Sequence, residues 1–178
     1  MILSKRSAAA AAPIAVFCLL VGCATATKPE AMVADKVAVA HPSSSDVSVA
    51  VSGGKETSSA GASQVSNDAF AQALRDSIKN SGLFSAVNAS GGRYKLTAFI
   101  GKMDQPMMGF SMTVKMEVSY TLADSRSNQS VWSKNIASEY TAKASAAFAG
   151  VERLRLATEG AAKANIQQAM TELAALQL

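Results

Sequence analysis

Ser111-Met112-Thr113-Val114-Lys115-Met116-Glu117-Val118-Ser119-Tyr120-Thr121-Leu122 alternates polar and apolar residues through six consecutive pairs without error. A β-strand sends successive side chains to opposite faces, so this stretch is a strand with one buried and one wet face. Met112, Val114, Met116, Val118, Tyr120 and Leu122 form the buried set. Ser111, Thr113, Lys115, Glu117, Ser119 and Thr121 form the wet one.

The flanks extend this strand into a sheet. Asp124 to Gln129 is a polar turn, and a less regular strand follows near Val131 to Ala142, with Trp132, Ile136 and Tyr140 as its larger apolar members. Adjacent Val131 and Trp132 break the alternation and point to a bulge. Upstream, Tyr94, Leu96, Ala98 and Ile100 share one face of another strand, and Val47, Val49 and Val51 mark a further one in Asp46–Ser52. Gly53 to Gln64 is a Gly/Ser/Thr-rich loop.

Two helices complete the pattern. The first starts near Ser66 or Asn67, both good N-caps, places Phe70, Ala73, Leu74, Ser77 and Ile78 on one face, and stops at Gly82. The second runs from about Val151 to Leu176. Phe148, Val151, Leu154, Ala162, Ile166, Ala169, Leu173 and Leu176 gather on one side. Arg155–Glu159 and Glu159–Lys163 have the spacing of surface ion pairs worth a few tenths of a kcal/mol each. Gly160 lowers helix stability, which suggests a close approach of helix to sheet. The order β-α-β-β-β-α with short turns predicts an α+β fold, a two-layer α/β sandwich. An antiparallel sheet is covered on one face by two helices, over residues 46–178.

The N-terminus reads as an export signal. Lys5 and Arg6 precede the mostly apolar run Ser7 to Leu20, which is shorter than the roughly 20 residues that a spanning helix needs. Leu20-Val21-Gly22-Cys23 resembles the lipobox of bacterial lipoproteins. That resemblance implies cleavage after residue 22 and acylation of Cys23, the expected lipid-attachment residue. An ordinary signal cut near Ala24-Thr25-Ala26 is the alternative. Ala24 follows the cysteine where inner-membrane lipoproteins tend to carry Asp, so the sorting rule implies the outer membrane, with the domain facing the periplasm. Residues 23–45 then read as acylated Cys plus flexible tether spanning about 25 Å, with Met32 to Ala40 apolar enough to pack in part on the domain.

Composition narrows the function. The formal net charge of +4 falls by two when Lys5 and Arg6 leave with the signal, and no basic cluster supports nucleic-acid binding. Cys18 leaves with the signal and Cys23 takes lipid, so no disulfide or reactive thiol is expected in the domain. The single histidine, His41, lies in the tether. No catalytic residues, no metal ligands and no cofactor are therefore expected. One segment stands out: Met103-Asp104-Gln105-Pro106-Met107-Met108-Gly109-Phe110 is unusually apolar for a loop between strands. Met107, Met108 and Phe110 are candidate partner-binding residues, because exposed Met and Phe clusters adapt to partners. Alternatively, they fold back over the end of the core.

Asp104-Gln105-Pro106 through Val114, with Val151-Glu152-Arg153-Leu154-Arg155-Leu156-Ala157-Thr158-Glu159-Gly160-Ala161 through Ile166, resembles a small Gram-negative lipoprotein family of uncharacterised function. The resemblance spans roughly Phe70 to Leu176. Some members carry the name of a UDP-N-acetylglucosamine acyltransferase. Such enzymes are left-handed β-helices of hexapeptide repeats with a catalytic His, and neither feature occurs here. The element order is also similar to the lipopolysaccharide-assembly lipoprotein and to lipoprotein activators of cell-wall synthases. These resemblances imply a membrane-anchored, non-enzymatic accessory module that binds an envelope protein in assembly or transport. The alternative is a binder of lipid or glycolipid between sheet and helices; an enzyme is the remaining one.

Overall fold

The structure, a computed structural model, describes residues 24–59 and 61–178. The expected signal segment 1–22 and the expected acylation site Cys23 lie outside the described residues. Chain order is α1 (Pro29–Met32), β1 (Asp46–Ser52), α2 (Asn67–Ser81), β2 (Ala86–Asn88), β3 (Tyr94–Asp104), β4 (Met112–Asp124), β5 (Gln129–Ala142) and α3 (Gly150–Ala174), with a 3-10 turn at Ala144–Ala146. The strands form one sheet in the order β2-β1-β3-β4-β5.

The two-layer α+β sandwich is as expected, with one refinement of the sheet. β3, β4 and β5 form the antiparallel meander, but β1 lies parallel to β3 and to the short β2, so the sheet is mixed. The physical reason is the connection: α2 carries the chain from the end of β1 back to the start of the sheet, so the next strands run parallel to β1. β2 has only three residues and no alternation to reveal it.

Local signals act where the sequence puts them. Ser66 Oγ accepts the Ala69 N–H at 3.2 Å and caps α2. Gly82 ends the helix at φ 70°, a left-handed position that glycine adopts at least cost. In the β4–β5 ladder Leu122 pairs with Trp132 but Ala123 pairs with Ser130, leaving Val131 as the bulged residue.

All six inward residues of β4 are buried. They share one core with Phe70, Leu74 and Ile78 of α2 and with Ala157, Ala161, Ile166, Ala169 and Leu173 of α3, and α3 packs directly on β4. The Tyr120 hydroxyl reaches Asn165 Oδ1 at 2.9 Å, and Asn165 Nδ2 donates to the Ile136 carbonyl at 2.9 Å. These bonds satisfy polar atoms that burial would otherwise penalise. Burial also pushes the Tyr120 phenol far above its ordinary pKa. These side chains fill the core between sheet and helices, and the space left between the two layers is a cleft between β5 and α3.

The stretch expected as a tether is the main departure. Thr27, Met32, Ala34 and Ser43 are buried, and α1 packs on both α2 and α3. Ala34 N–H donates to Ser77 Oγ at 2.9 Å. Met32 is a large apolar side chain with no exposure, so docking it outweighs the entropy of leaving this stretch free.

Candidate docking surface

One end of the sheet gathers the C-terminal ends of β1 and β3, the start of β4, the end of β5 and the N-termini of α2 and α3. The connections there are residues 53–66, 105–111 and 143–149. The β3–β4 loop leaves Met107, Met108 and Phe110 at 100%, 85% and 89% exposure. Phe148 is fully exposed and Val151 is more than a third exposed, although both were expected on the core side of α3. Phe148 precedes the helix and the first turn of α3 lies beyond the sheet, so the core does not reach them. Met107, Met108, Gly109, Met112, Val151 and Leu154 line a cleft of about 480 Å³. The reading that these loop residues fold back over the core is thereby replaced by exposure.

Polar anchoring holds this apolar end in place. Gln105 Nε2 donates to the Ser63 carbonyl at 2.7 Å and to Thr158 Oγ1 at 2.9 Å, while Gln105 Oε1 accepts from Gln64 Nε2 at 2.9 Å. The residue just before Pro106 is thus fixed to α3 and to the 53–66 loop. Across the cleft, Arg153 Nη1 donates to the Ala147 and Phe148 carbonyls at 2.7 and 2.9 Å, which holds the turn presenting Phe148.

The N-terminal segment converges on the same end. Ala24 N–H donates to the Ser59 carbonyl at 3.2 Å, the Thr25 carbonyl accepts Ser63 Oγ at 2.7 Å, and Thr27 Oγ1 donates to the Gln64 carbonyl at 3.0 Å. Next comes a charged cluster on α3. Arg155, buried, is paired with Glu152 and with buried Glu159. Glu159 Oε1 also accepts the Lys28 N–H at 2.8 Å. The Arg155 guanidinium beside Glu152 holds that carboxyl below its ordinary pKa, and the two carboxylates raise the Arg155 pKa above its own.

The expected surface pairs are therefore corrected. Arg155–Glu159 is an interior pair, because residues 27–35 cover that face of α3. Lys163 pairs with Asp35 at 2.7 Å instead of Glu159. Gly160 does mark a close approach, since a Cβ there would collide with the Tyr140 ring of β5. Nothing local in the chain marks Glu159 as a buried anchor for the N-terminal segment. Its spacing from Arg155 is common on exposed helix faces.

Among the described residues no group of three or more His, Cys, Asp or Glu could hold a metal, and no helix is long and apolar enough to cross a membrane. A second cleft, of about 670 Å³, lies between Tyr140 of β5, Gly160 and Lys163 of α3, and Asp35.

No protein-family model matches the chain, and no curated protein sequence matches it. Solved bacterial structures share its fold. Protein XCC0632 of Xanthomonas campestris, of family DUF330, superposes with a TM-score of 0.60 at 20% identity, over 84% of this chain and 92% of its own. PelC of Paraburkholderia phytofirmans, solved as a dodecamer, gives 0.51 at 16% identity, over 80% and 95%. A Caulobacter crescentus protein assigned as a lipoprotein gives 0.51 at 15% identity, over 72% and 87%. At these identities the likeness is one of fold.

Proposed function

We propose that this chain is an exported lipoprotein, acylated at Cys23, that acts as an accessory binding module of the bacterial envelope. The reading is of a binding protein rather than an enzyme. The observation that carries it is the apolar surface of Met107, Met108 and Phe110, fully presented to solvent on a loop fixed by Gln105. Monomeric soluble proteins rarely leave such clusters uncovered unless something docks there. The occurrence of this fold in a bacterial protein assigned as a lipoprotein supports the anchored reading. Ala24 after Cys23 favours the outer membrane, with the domain in the periplasm. The module serves envelope assembly or transport, with this surface as its point of attachment.

A photo-crosslinking residue at Met108 tests this in intact cells. The proposal expects an adduct with an envelope component, and the double change Met107→Ser, Met108→Ser should leave thermal stability nearly unaltered while abolishing function in a complementation assay. A double variant that melts early places these residues in the core and overturns the surface reading. A folded variant with full function, and no adduct at Met108, contradicts it as well.

A further inference from the structure

We infer that the occupant of the Met107-Met108-Phe110 surface is the bilayer itself: the apolar end of the domain rests in the lipid interface in which Cys23 is anchored. This deepens the proposed function and rests on acylation of Cys23. Ala24, the residue bonded to Cys23, donates to the Ser59 carbonyl, and Thr25 is held by Ser63. Ser63 in turn accepts from Gln105, whose backbone continues through Pro106 to Met107. Because consecutive Cα atoms are only about 3.8 Å apart, a chain fixed from Ala24 onward leaves no tether between lipid and domain.

Acyl chains on Cys23 would therefore enter the membrane beside this end of the sheet. The side chains exposed there include Lys55, Glu56 and Lys143 on the neighbouring connections, and the large apolar ones are Met107, Met108, Phe110 and Phe148. Side chains of this kind bury themselves about 5–10 Å into the boundary of headgroups and acyl chains. The opposite end of the β4–β5 hairpin is built differently. Ser125, Arg126, Ser127 and Asn128 form its turn, with Trp132 one pair beyond the bulge. Ten residue steps of strand lead from the Leu122–Trp132 pair to the Met112–Ala142 pair, about 33 Å at strand rise.

The test uses the acylated full mature chain reconstituted into vesicles of phosphatidylethanolamine and phosphatidylglycerol with brominated acyl chains. Phe110→Trp is made in a Trp132→Phe background, and the unaltered chain reports from Trp132. The proposal expects the Phe110→Trp emission to shift to the blue and lose most of its intensity to bromine, while Trp132 emission is unaffected. Emission from Phe110→Trp that stays red and unquenched, on acylated protein that floats with the vesicles, overturns the inference and leaves the lipoprotein reading standing. Blue-shifted but unquenched emission also overturns it, because a second copy or an envelope protein then covers the surface. A mass showing no acyl chain on Cys23 defeats both the inference and the reading beneath it.

Discussion

The carboxylate of Glu159 accepts the backbone N–H of Lys28 at 2.8 Å, joining residues 131 apart in sequence. The same carboxylate pairs with Arg155, so one buried side chain ties the N-terminal segment to the long helix. Glu159→Leu removes the acceptor and leaves Arg155 with Glu152 alone. Breaking a buried pair costs about 3–5 kcal/mol, and the remaining Glu152 contact favours the lower end. Lys28 amide exchange should accelerate sharply. Lys163→Ala, which breaks the exposed pair with Asp35, should cost under about 1 kcal/mol. Equal effects in urea unfolding would contradict the anchoring role.

Glu152 gives this cluster a pH signature. Its carboxyl titrates below the ordinary value of 4.5 because Arg155 donates to it. A depressed carboxylate contributes stability that is present above the unfolded value and disappears as pH falls through the folded one. The stability difference between the natural chain and Glu152→Gln should therefore be full at neutral pH and shrink below pH 4.5. A difference that stays constant well into acid would show that Arg155 does not act on Glu152.

Gly160 should resist substitution despite its place in the middle of a helix. Alanine there gains about 1 kcal/mol of helix propensity, but its Cβ collides with the Tyr140 ring, and overpacking costs about 1–3 kcal/mol. Gly160→Ala should therefore be neutral to destabilising alone. It should become stabilising in a Tyr140→Ser background, where the ring is gone. If the substitution stabilises equally in both backgrounds, the close packing of α3 on β5 is wrong.

Legibility followed the range of the interactions involved. The alternation of Ser111 to Leu122, the Ser66 cap, the Gly82 stop and the Val131 bulge are local, and the sequence displays each of them. The parallel placement of β1 and the addition of β2 depend on pairing between distant strands, and a three-residue strand has no period to read. Docking of Thr27 to Ala34 was legible only in part: Met32 to Ala40 is apolar enough to pack on the domain, but the polar partners Ser77 and Glu159 that fix its place are far away in sequence. The Met107-Met108-Phe110 loop was legible as an anomaly, but its exposure was not. Composition does not say whether an apolar loop meets the core or the solvent; Gln105, held by Ser63 and Thr158, decides it.

Acylation of Cys23 is the central proposal, and the intact mass of the protein extracted from cell membranes measures it directly. The prediction is a chain that begins at Cys23 and carries the added mass of a diacylglycerol group, usually with a further acyl chain on the amine. Cys23→Ala should lose this mass and move to the soluble periplasmic fraction. A mature chain that begins near Ala26 with no added mass, or a Cys23→Ala protein that still sediments with membranes, would contradict it.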